Sequence, residues 1–173
     1  MKFNKKIEID LLDFIRAGKF GCLKPGMTKK EILQSFSPPE DWMHYENNDI
    51  PNNNEDCFKS KIWRYGNFEL HFYDNDELWM VFNDYLGEIN GGKYLKITPW
   101  IFCKRKVPSI IDLIKALIKE QIDFEVKRND IIDQITIKIL NSGVEISSED
   151  DIGKLSPNKI KISAIMKYFY KEK

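Results

Sequence analysis

Cysteine is scarce in this chain: Cys22, Cys57 and Cys103 are the only three in 173 residues, and no CxxC pair occurs. That excludes a zinc ribbon and a thioredoxin-type redox motif, and it points to free thiols in a reducing cytosol. Histidine is scarcer still, with His44 and His71 as the only side chains whose ordinary pKa suits general-base work near neutrality. Neither charge is in excess, since 27 Lys and Arg face 27 Asp and Glu, which argues against a generally basic nucleic-acid binder. Long apolar runs are missing too, so no bilayer-spanning helix is expected. There is no G-x-S-x-G elbow, no H-E-x-x-H, no Walker loop and no Rossmann glycine pattern, and no cofactor or metal is expected.

At the start of the chain, Lys2, Lys5 and Lys6 followed by Gly21-Cys22 imitate a lipoprotein signal. Glu8, Asp10, Asp13 and Arg16 interrupt the apolar run such a signal needs. The segment reads instead as an amphipathic helix with Ile7, Leu11, Leu12 and Ile15 on one side and Gly18 as its stop. A cytoplasmic location without membrane contact is the resulting expectation.

What is present is an ordinary globular composition, 42% hydrophobic and 13% aromatic, enough for one domain over residues 1–173. Thr28-Lys29-Lys30-Glu31 fits a capping box, in which hydroxyl and carboxylate satisfy each other's backbone N–H groups. Ile32, Leu33 and Phe36 form the apolar stripe behind it, and Pro38-Pro39 ends the helix. Ser109 to Asp112 repeats the arrangement ahead of Leu113, Ile114, Leu117 and Ile118. Strand patterns follow each helix. In the first half, residues 61–65 and 68–73 lead through an Asp74–Glu77 turn to 78–82. Period two sets Phe68, Leu70 and Phe72 on one face, with Leu78, Met80 and Phe82 as their expected counterparts. Another strand runs from Tyr94 to Thr98. The second half has strands at 122–128, 131–140 and 144–146, and the stretch 160–169 reads as a strand that ends in a helical turn. Successive strands without intervening helices give an α+β fold, short helices on a mostly antiparallel sheet. Two pseudo-repeated helix-plus-strands halves, approximately 1–105 and 106–173, are the finer expectation. Residues 46–56 form a polar, Asn-rich loop.

Candidate chemistry gathers on the first hairpin. His71 alternates with Glu69 and Tyr73 on the face opposite the apolar stripe, which allows a His71/Glu69 catalytic pair, but two residues apart on one strand is an ordinary cross-face spacing and the weightier reading. Asp74, Asp76 and Glu77 superficially suggest calcium, yet the sixth position from Asp74 is Trp79, where a calcium loop needs glycine. Residues 40–92 carry twelve acids against three bases, a net of −9, while both flanks are positive. Trp42, Tyr45, Trp63, Tyr65, Tyr73, Trp79 and Tyr85 lie in the same segment. Aromatic anchors among acids suit docking of a basic protein surface; scattered solvated acids around core aromatics are the alternative.

Pro25-Gly26-Met27-Thr28-Lys29-Lys30-Glu31-Ile32 resembles the G-M-T-x-x-x-[VI] helix start of SmpA/OmlA lipoproteins and the similar repeats of β-lactamase-inhibitor proteins. That resemblance implies a helical pair ahead of an antiparallel sheet and brings no catalytic residues; the family's lipidation signal is missing here. Residues 62–72 (Ile-Trp-Arg-Tyr-Gly-Asn-Phe-Glu-Leu-His-Phe), followed by Leu78-Trp79-Met80-Val81-Phe82, resemble a group of uncharacterised small bacterial proteins. The expected function is a non-catalytic, intracellular protein-binding module, an immunity protein against a toxin being its most concrete form. Its partner-binding residues would be Glu69, His71, Tyr73, Asp74, Asp76 and Trp79. The alternatives are a small hydrolase using His71 and Glu69, and an assembly adaptor.

Overall fold

A computed structural model describes residues 6–43, 56–102, 106–150, 152, 153 and 155–169. His44, Tyr45, Cys103 and most of the Asn-rich loop lie outside the described residues.

The first element among the described residues is a strand, β1 (Ile7–Asp10), where the sequence pattern predicts helix. Helix α1 (Leu11–Ala17) begins only after it, because the Asp10 carboxylate accepts from the Leu12 and Asp13 N–H groups and starts the helix there. Gly18 closes it in the left-handed conformation, as expected. What extends residues 7–10 is tertiary: β1 pairs in parallel with β6 (Leu95–Thr98), and the two form a small separate sheet.

Both predicted capping boxes form. Thr28 starts α2 (Lys29–Ser35) with Glu31, and Ser109 starts α3 (Ile110–Lys119) with Asp112. Bonds from Thr28 and Ser109 stabilise the ionised carboxyls and hold both Glu31 and Asp112 below the ordinary carboxylate range. A carboxyl whose folded-state pKa is depressed supports the fold above its unfolded pKa, and that support fades as pH falls through the folded value. A Glu31→Gln/Asp112→Asn variant should therefore lose less stability than the parent on acidification. Melting curves across the acid range check this; parallel curves for the two proteins would contradict it.

The main sheet has eight strands in the order β2-β3-β4-β5-β10-β9-β8-β7. They are β2 (Asp41–Met43), β3 (Ile62–Tyr65), β4 (Phe68–Phe72), β5 (Leu78–Asn83), β7 (Phe124–Asn129), β8 (Gln134–Ile139), β9 (Val144–Ser148) and β10 (Ile162–Tyr168). All its pairings are antiparallel. The fold is thus α+β with a mostly antiparallel sheet. Residues 162–168 are strand throughout, without the helical turn expected near their end.

This order has a two-fold character. Each half contributes four consecutive strands to this sheet, preceded by a helix that starts with a capping box, and the halves join where the last of those four strands, β5 and β10, pair with each other. Equivalent hydrogen bonds recur around the caps. Leu78 N–H donates to the Met27 carbonyl, as Ile162 N–H does to Pro108. Lys29 N–H donates to the Asp76 carbonyl, as Ile110 N–H does to Ile160. Thr28 bridges Glu77, and Ser109 bridges Lys161. One difference interrupts the match: Ile110 and Ile160 are buried apolar residues, whereas their counterparts are Lys29, which is 2% exposed, and Asp76. Lys29 Nζ lies 2.5 Å from Asp76 Oδ1, donates to the Phe58 carbonyl at 2.7 Å and sits over the Phe72 ring. An ion pair in one half thus stands where the other half has two isoleucines.

Buried residues of all three helices join one core cluster with Trp63, Tyr65, Phe68, Leu70 and Phe72 of β3 and β4. Phe20 meets Phe68 at 5.0 Å and Phe36 meets Tyr65 at 5.7 Å, tying the helical layer to the sheet. One face of the sheet is therefore the core face. No helix among the described residues is long and apolar enough to cross a membrane.

Candidate functional site: the outer face of the β4–β5 hairpin

The face of β5 departs from the simple alternation. Phe72 pairs with Leu78 but His71 pairs with Met80, so the register steps by one residue and Trp79 is the extra one. Beyond the step, Val81 lies opposite Leu70 on the core face, while Met80 and Phe82 lie opposite His71 and Glu69. Leu78 is on the core face as expected; Met80 and Phe82 are corrected to the outer face, because a bulge reverses the side on which later residues fall.

Cross-strand neighbours then line up on the outer face. One row runs Met43, Ile62, His71, Met80, Tyr168. The adjacent row runs Asp41, Arg64, Glu69, Phe82, Met166, Glu145. Charged residues thus flank an apolar, aromatic middle. Trp79 stacks between Tyr73, at 5.7 Å and 29°, and Tyr168, at 6.0 Å and 20°. The His71 ring meets Trp79 edge-on at 5.8 Å and Phe82 at 6.1 Å. Trp79 and Tyr168 are half-buried and Tyr73 is exposed, so the stack presents rings to solvent. Such offset and edge contacts hold aromatic rings in fixed orientations.

All six residues expected to bind a partner lie on this hairpin or its turn, in differing circumstances. His71 is 8% exposed, and its Nε2 lies 2.9 Å from Glu69 Oε2. Asp74, exposed at the turn, pairs with Lys61, which holds its carboxyl below the ordinary range. Asp76 holds Lys29. Both turn acids are therefore engaged within the chain, a fact that composition alone does not reveal. The aromatic contribution of Tyr168 comes from the second half and lay outside the residues singled out from sequence. Only the β5–β10 pairing, a long-range contact, brings it beside Trp79.

At the other end of the hairpin, Gly66 turns the chain at φ +62° and packs against the loop at Asn90, where a Cβ would lie 2.2 Å from the Asn90 carbonyl oxygen. Asn67 ties this corner together, donating to the Glu88 carbonyl and accepting from the Asn90 N–H. A cleft of about 360 Å³ opens there between Glu40, Arg64, Tyr85 and Glu88. His71 and Glu69 do not line it. Among the described residues, no group of three or more His, Cys, Asp or Glu side chains is placed to hold a metal ion. The chain matches no family model, no curated protein and no solved structure.

Proposed function

We propose that this chain is a non-catalytic protein-binding module that docks a partner on the outer face of β4, β5 and β10, with neutralisation of a toxin as its most concrete form. The observation that carries the reading is the Tyr73–Trp79–Tyr168 stack, a partly exposed aromatic surface of the kind that anchors interfaces. The acid excess of residues 40–92 favours a partner with a basic surface, which long-range attraction would steer toward this segment of the chain. Because Asp74 and Asp76 already pair with Lys61 and Lys29, affinity rests on the rings more than on these two charges.

Trp79→Ala should weaken the complex by about 30-fold or more, the loss of roughly 2 kcal/mol typical of a central aromatic anchor. Asp74→Lys should slow association and steepen no other step, since it changes an exposed charge at the rim. The partner is isolated from the source cells with the intact chain as bait, and its binding kinetics are read for each variant at two salt concentrations. Trp79→Ala binding that equals the parent would overturn the assignment.

The 2.9 Å contact between His71 and Glu69 is the observation that favours the hydrolase alternative. There His71 would act as general base. Turnover of a small ester or amide that disappears in His71→Gln, with the fold retained, would favour that reading over protein binding. An assembly adaptor would share the docking face but bring together two partners, which the same isolation would distinguish.

A further inference from the structure

Two strands end the main sheet, and they differ. β2 is three residues long, whereas β7 runs for six with no strand among the described residues on its far side. A long open edge offers a row of backbone donors and acceptors to another strand. The phase of those groups follows from one hydrogen bond: Leu140 N–H donates to the Asp123 carbonyl at 3.0 Å, in the same register as the β7–β8 ladder. Antiparallel ladders alternate, so Glu125, Lys127 and Asn129 direct their backbone groups to β8. Phe124, Val126 and Arg128 direct theirs outward.

We propose that this edge is a self-association site, where a second copy of the chain adds its own β7 in antiparallel orientation centred on Val126. Outward-facing residues of one copy must meet outward-facing residues of the other, which leaves three registers with substantial overlap. Centring on Glu125 sets that carboxylate against its own copy, and centring on Lys127 does the same with two ammonium groups; like charges directly opposite are destabilising. Centring on Val126 instead sets Glu125 of each copy against Lys127 of the other, and Phe124 against Arg128. The strand's charges thus suit one register and oppose its neighbours. Both charged residues lie on one face, where they already pair within the chain at 2.9 Å, and Val126 is 51% exposed between them. Because a single added strand buries little surface, the dimer should form only as concentration rises.

The test is molar mass by sedimentation equilibrium across a concentration series. The parent should move from 20.5 kDa toward about 41 kDa, the mass of a two-fold dimer. Val126→Pro removes an outward N–H that the β7–β8 ladder does not use, so it should abolish the dimer and leave the fold intact. E125K and K127E each place like charges in register and should also stay at 20.5 kDa alone. Mixed together, those two variants restore opposite charges and should recover the dimer mass. A parent that remains monomeric throughout, or a dimer that these variants leave unchanged, overturns the proposal. The charge variants keep the test decisive should the proline variant fail to fold.

Discussion

Asp76→Asn is expected to destabilise the protein by about 3 kcal/mol, the low end of the cost of leaving a buried charge without its partner. Lys29 is almost wholly buried, and Asp76 Oδ1 and the Phe58 carbonyl are the acceptors that face its ammonium. Asparagine keeps the side-chain shape and tolerates the backbone at φ +65°, so the variant removes charge and little else. The cost stays near the low end because the Asp76 side chain is half exposed and water can approach from its side. Asp76→Lys, attractive as a charge reversal at an interface, should cost more, since it opposes two ammonium groups across the former ion pair. Lys29→Met should behave in the opposite way. It replaces a buried cation with an apolar side chain where the other half has Ile110, and it leaves a carboxylate that reaches solvent. Its cost should fall within about 1 kcal/mol of zero, as for other buried ion pairs replaced by apolar groups. Urea denaturation of the three variants measures this; equal losses for Asp76→Asn and Lys29→Met would contradict the account.

Leu70→Ala should cost about 2–5 kcal/mol, because Leu70 is fully buried on the core face and truncation leaves a cavity there. Met80→Ala should cost less, about 1–2 kcal/mol, although its side chain is only 8% exposed. Met80 lies beside His71 and Tyr168 on the face away from the core cluster, so water can fill the space it leaves. The difference between these variants reports the bulge at Trp79 directly. Equal losses would mean that Met80 belongs to the core face and that the alternation continues without a step.

Elements fixed by short-range chemistry were legible in the sequence. Thr28 with Glu31 and Ser109 with Asp112 announce their helices because a capping box needs only four residues. The α+β class and the recurrence of a capped helix followed by strands were legible for the same reason. Long-range contacts were not. Residues 7–10 are extended because β6 pairs with them, a contact across more than eighty residues. Period two cannot reveal an inserted residue, so it assigns Met80 and Phe82 to the core face when the bulge puts them on the outer one. Lysine patterns as a solvent residue, and nothing local marks Lys29 as the buried half of an ion pair. At the candidate site, Trp79 beside His71 could be read from the hairpin, but Tyr168 could not, since β10 joins β5 only in the folded sheet.

The central claim is that the outer aromatic face is where a partner protein docks, and site-specific photo-crosslinking in the source cells tests it most directly. A photoreactive side chain at position 73, beside the Trp79 stack, should capture one discrete partner. The same group at exposed Ile118, on helix α3, should not. Trp79→Ala introduced alongside the position-73 probe should remove the product while the chain remains folded. A cross-link that forms equally from position 118, or that persists without the Trp79 ring, would contradict the account.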